Sequence, residues 1–153
     1  MKLNEWVAAA ASPSNLAGPQ PAARLRVAEA LNGIRGAEQD PIIFAHEVWP
    51  EAGAETRILV ETVWAALVDG FALVAVNAQL NPSGHFLQGV RAVVDVRPWR
   101  SVELRLAGFD TGDGDSGEYT LAFGSGNPAK AEGRQIGDLL ALWHESLRLA
   151  CRS

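Results

Sequence analysis

At 153 residues the chain has the length of one domain, enough to bury about 70% of the surface its unfolded state exposes. Apolar content of 48% and charged content of 20% are those of a soluble globular protein, and a net charge of −5 lacks the basic excess of a nucleic-acid binder. The single cysteine, Cys151, excludes an internal disulfide and a cysteine-built zinc site, and it fits a reducing compartment, so a cytoplasmic location is expected.

The opening stretch, MKLNEWVAAAAS, contains Glu5 and an apolar run too short for a signal peptide. The longest apolar stretch, residues 63–76, is interrupted by Asp69 and Gly70 and is too short to cross a bilayer as a helix, so no membrane association is expected.

Residues 2–11 predict a short helix with Leu3, Trp6, Val7 and Ala10 on one side. Residues 12–20 are rich in Pro, Gly, Ser and Asn and read as a loop. Pro21 suits the first position of a second helix, which points Leu25, Ala28 and Leu31 inward and stops at Asn32-Gly33. Asp40-Pro41 has the form of an N-cap followed by proline, which predicts a third helix over 41–49, closed by Pro50. Residues 55–69 predict a fourth. Its stripe is Leu59, Val63, Ala66 and Leu67, but Ile58, Val60, Trp64 and Val68 make it apolar nearly all round. Such a helix is buried centrally or covered by a partner chain.

Four strands are then expected between 71 and 123. Residues 71–80 are apolar on both faces as far as Asn77, the pattern of a strand covered on both sides. Asn81-Pro82-Ser83-Gly84 has a type I turn signature. Residues 85–97 alternate, with Phe86, Gln88, Val90, Ala92, Val94 and Val96 on one face, and Pro98 stops them. The third strand, 102–106, sets Val102, Leu104 and Leu106 inward. A register with Arg97 opposite Glu103 and Asp95 opposite Arg105 satisfies its charges. After a Gly- and Asp-rich loop over 110–117, the fourth strand sets Tyr119, Leu121 and Phe123 inward. A last helix over 129–151 carries Ile136, Leu140, Trp143, Leu147 and Ala150 as its stripe, widened by Leu139, Leu142 and Leu149. Gly133 and Gly137 weaken its first half by about 1 kcal/mol each.

Motifs for catalysis are lacking. His46-Glu47 and His144-Glu145 are adjacent pairs, which on a helix diverge by about 100°. No HExxH, P-loop or nucleophile elbow occurs, and the glycines at 112, 114 and 117 join two antiparallel strands. The acidic loop 110–118 invites a calcium reading but misses the EF-hand spacing. No cofactor and no metal are expected, and enzymatic activity has no positive support.

Two groups of residues suggest binding. Trp99, flanked by Arg97 and Arg100 at a hairpin tip, has the composition of an interaction hot spot; alternatively Trp99 folds back over the sheet edge and stacks on an arginine. Asn77, Gln79 and Gln88 place amides on the inward face of the sheet. Together with Tyr119 and His85 or His144 they could line a pocket under the last helix, or they lie at the wet end of the sheet.

The resulting expectation is a single α+β domain over 1–153. It has a helical part over about 1–69, a four-stranded antiparallel meander over about 71–124 and a long C-terminal helix packed on the sheet. The first functional expectation is a non-enzymatic accessory module that binds a protein partner and forms a homodimer. The alternative is a small-molecule-binding domain, or a small enzyme, with a pocket between the sheet and the C-terminal helix.

Overall fold

The computed structural model describes residues 1–10, 20–34, 40–48, 57–80, 91–109, 117–124 and 128–152. Two helices, α1 (Leu3–Ala10) and α2 (Gln20–Asn32), lead into strands β1 (Ile42–Val48), β2 (Arg57–Ala66), β3 (Gly70–Leu80) and β4 (Arg91–Pro98). These four form one antiparallel sheet in chain order. A 3-10 turn (Trp99–Ser101) then carries the chain to a second antiparallel sheet of β5 (Leu104–Phe109), β6 (Glu118–Phe123) and β7 (Ala129–Glu132). Helix α3 (Ile136–Ala150) closes the fold, entered through a second 3-10 turn at Gly133–Gln135. The architecture is α+β: N-terminal helices, a four-stranded antiparallel sheet, a small second sheet and a C-terminal helix packed on the sheet. Among the described residues no helix is long and apolar enough to cross a membrane.

Two expected helices are strands. Residues 42–48 and 57–66 form β1 and β2, where helices were expected over 41–49 and 55–69. Both runs are rich in β-branched and aromatic residues, which favour a pleated surface. The all-round apolarity of the second run is that of a central strand covered on both faces: Leu59, Val63 and Ala65 are buried on one side, Trp64 and Ala66 on the other. Asp40 does cap a helix, but not its own. Its Oδ1 accepts the Asn4 N–H of α1 at 2.7 Å, and the Pro41 carbonyl accepts the Leu3 N–H at 3.0 Å. The chain thus enters β1 alongside the start of α1, where Lys2 bridges Ile42.

The expected pairing across residues 98–101 is absent as well. β4 pairs with β3 and β5 with β6, so Arg97 does not face Glu103 and Asp95 does not face Arg105; Asp95 lies opposite Leu73 and pairs at 3.5 Å with Arg97 of its own strand. Exposed cross-strand charges are worth a few tenths of a kcal/mol, whereas burying an indole is worth about 2–3 kcal/mol. Turning the chain at Pro98 to bury Trp99 therefore outweighs the charge ladder. Residues 129–132 form β7, so the last helix begins at Ile136. Its buried face is Leu139, Leu142, Ser146 and Leu149, with Leu147 exposed. In α2, Ala23, Val27 and Leu31 are buried and Leu25 is exposed.

Each face of the four-stranded sheet has its own core. On one, Ile43, Leu59, Val63, Ala65, Ala72, Val74, Val76 and Ala78 pack under α1 and α2 through Leu3, Trp6, Ala23, Val27 and Leu31. On the other, Phe44, Trp64, Ala66 and Phe71 meet Leu121 and Phe123 of the second sheet and Leu139, Leu142 and Leu149 of α3. Phe71 and Phe123 stack with ring centroids 3.6 Å apart. The β2–β3 turn is closed by the Leu67 N–H donating to the Gly70 carbonyl at 2.9 Å. β4 passes so close to this turn that a Cβ on Gly70 would sit 2.3 Å from the Arg97 carbonyl oxygen.

Candidate functional site

The expected hairpin tip does not present its tryptophan. Trp99 is 3% exposed, and its indole Nε1–H donates to the Leu67 carbonyl at 2.9 Å. The ring lies tilted against Phe71, with centroids 6.3 Å apart, in the core shared by the two sheets. Arg100 is exposed and Arg97 partly so; they flank a buried anchor. Asn77 and Gln79 are exposed. They lie on the same face of β3 as Phe71 and Leu73, since side chains alternate along a strand, but further along it, beyond the cover of the second sheet and α3. Tyr119 is half-buried in β6, where it lies over Gly108, its cross-strand partner. His144 is exposed on α3. Gln88 and His85 lie outside the described residues, as do the 81–84 turn, the core of the acidic loop and Trp49. The described members of the expected pocket are thus spread over three elements. The space under α3 is filled by the aromatic and aliphatic core.

The register shows which part of the sheet is open. On the second-sheet side, the row Phe44–Trp64–Leu73–Asp95 and the row Ile42–Ala66–Phe71–Arg97 lie under or beside the cover. The next rows, His46–Thr62–Ala75–Val93 and Val48–Val60–Asn77–Arg91, do not join that core. There Val48 is 49% exposed, Val93 48%, and Ile58, one row further, 45%. β4 is an edge strand that pairs only with β3 among the described residues, and Val94 and Val96 on its helix-facing side are exposed too. An edge of unpaired N–H and C=O groups flanked by exposed valines is a template for another strand. Isolated exposed valines are ordinary; here they share one strand and one half of a face.

A second feature lies under the helices. Glu61, 1% exposed, sits directly opposite Glu47 in the β1–β2 register. Arg24 of α2 reaches both, 3.9 Å from Glu61 Oε1 and 3.9 Å from Glu47 Oε2. Arg24 also donates to the Trp6 carbonyl at 2.6 Å, and its guanidinium lies 4.7 Å from the Trp6 ring centroid. Burial pushes the Glu61 carboxyl up to about 9; the neighbouring Glu47 carboxyl, as hydrogen-bond partner and as like charge, adds to this, and Arg24 opposes it. The cluster therefore favours a neutral Glu61 beside the Arg24 guanidinium. Through Arg24 and the Trp6 carbonyl and ring it ties α2 and α1 to the sheet. The sequence signal for it is a lone carboxylate inside the run Ile58–Trp64, which stands out once that run is read as a two-sided strand.

A cleft of about 270 Å³ lies where Lys2, Pro41, Ile42 and Ala66 meet Glu145, Arg148 and Leu149 of α3. On its rim Glu145 and Arg148 pair with each other, and Asp40 accepts the Asn4 N–H. Compared with known proteins, the chain matches no family model, no curated protein and no solved structure.

Proposed function

We propose that the protein is a non-enzymatic accessory module that acts through protein–protein contacts, made by the open half of the four-stranded sheet. The supporting observation is the exposure of Val48, Ile58 and Val93 on β1, β2 and β4 at one end of one face, together with the edge strand β4, which pairs only with β3 among the described residues. Polar groups are interspersed with them, His46 in the row of Val93, Asn77 and Arg91 in the row of Val48, and Gln79 opposite Ile58. A segment laid across this half covers the valines and finds partners for its own polar groups among these. Self-association into a homodimer belongs to the same reading.

The test is site-specific photo-cross-linking in cells that make the protein. A photoreactive residue replaces Ile58 on the open face, and in a control it replaces Leu25, which is exposed on α2. Discrete adducts at position 58 and none at 25 support the reading. Equal labelling at the two positions, or none at 58, overturns it.

A further inference from the structure

The geometry points to a second copy of this chain as the occupant of the β4 edge, paired antiparallel about a two-fold axis at Val93, so that two four-stranded sheets become one. This rests on the reading of the open sheet as a contact surface and names one partner for it. β4 reads Arg-Ala-Val-Val-Asp-Val-Arg-Pro from 91 to 98. Two-fold pairing places each residue opposite the one equally far on the other side of the axis. With the axis at Val94, Arg91 meets Arg97. With it at Asp95, that carboxylate meets its own copy. Both registers set like charges face to face.

With the axis at Val93, Arg91 faces Asp95 of the second copy, and the pair occurs twice by symmetry. Val93 packs on Val93, and Val94 on Ala92. An axis at Val96 also pairs Asp95 with Arg97, but it draws Pro98, which has no N–H, into the ladder next to the 3-10 turn at Trp99. Within residues 91–98, the axis at Val93 is therefore the one register that sets opposite charges face to face without bringing Pro98 against another of these residues. That register covers two of the exposed valines, Val93 and Val94. It also carries the row His46–Thr62–Ala75–Val93 straight into its copy, joining the two open half-faces into one platform.

Sedimentation velocity on the full chain, over a micromolar concentration series, reads the dimer. Asp95→Arg and Arg91→Asp each create two like-charge pairs and are expected to raise the dimer dissociation constant about tenfold or more. Each variant alone is then weak, and an equimolar mixture of the two recovers wild-type association, because Arg91 and the new arginine of one face two aspartates of the other. In a Cys151→Ser background, Val93→Cys is expected to give disulfide-linked dimers on mild oxidation. Val96→Cys is not, since its copies stand about 20 Å apart in this register. Circular dichroism checks that each variant keeps the fold. A wild-type chain that is monomeric throughout overturns the inference, as does a mixture no stronger than its components, or cross-linking at 96 in place of 93. Adducts at position 58 in the cross-linking experiment, with a monomeric wild type, would leave the protein-binding reading standing without this partner.

Discussion

Glu61 occupies a place in β2 that Leu59 and Val63 fill with aliphatic side chains on either side. Its protonated form is favoured in the folded chain, with a value near 9 against about 4.5 for a free carboxyl. The folded state then binds more protons than the unfolded state between these values. The stability contributed by this group is complete below about pH 4.5 and is lost progressively as pH rises through 9. Thermal melts of wild type across pH 6–9 are expected to fall with pH. Glu61→Gln, which stays neutral, is expected to flatten that slope and to be more stable than wild type at pH 9 by about 1–3 kcal/mol. A slope unchanged by the substitution would show that Glu61 is already ionised in the folded chain. Trp99 makes the complementary case of a residue with surface composition and a core role. Trp99→Ala removes the indole from between the sheets and leaves the Leu67 carbonyl only the longer bond from the Gly70 N–H at 3.4 Å. Urea unfolding is expected to show a loss of about 3–5 kcal/mol, where a surface hot spot would show none.

At the scale of elements, the helix–strand distinction turned on which apolar runs are covered twice. Residues 57–66 satisfy a helical stripe through Leu59, Val63 and Ala66 and a strand alternation equally well, because a strand between two cores is apolar at nearly every position. β3 has the same character and was legible because Asn77 and Gln79 break the run with polar residues on one face. The capping signal Asp40-Pro41 was real chemistry serving another element. Asp40→Ala removes the acceptor of the Asn4 N–H and is expected to cost about 1 kcal/mol. Because that bond joins α1 to the approach to β1, amide exchange in Leu3–Ala10 should quicken more than in α2. A uniform change across both helices would place the cap elsewhere. The amphipathic pattern of α3 was legible to within one residue of rotation. The sequence stripe centred on Ile136, Leu140 and Trp143, and the buried face on Leu139, Leu142 and Leu149.

For the whole molecule, one sheet divides two cores, and the second core covers only one end of its face. Among the described residues that asymmetry leaves Val48, Ile58 and Val93 exposed and β4 as an edge. If copies pair through this edge, folding and association are linked by mass action. The wild-type melting temperature should then rise with protein concentration, and that of Asp95→Arg should not. A melting temperature independent of concentration in wild type would count against pairing of copies through this edge.

Composition, the short N-terminal helices, strands 71–80 and 118–123 and the amphipathic last helix were decided by the sequence alone, because each rests on local periodicity or on a local turn residue. Tertiary structure decided the rest. Whether residues 42–48 and 57–66 are helix or strand depends on what covers their two faces. Whether β4 pairs with β5 depends on the greater gain from burying Trp99 between the sheets. Whether Glu61 is charged depends on its burial beneath the helices, and then on Glu47 and Arg24, which come from other elements. None of these is a property of a window of residues; each is set by contacts between segments far apart in the chain, where burial outweighs local preference.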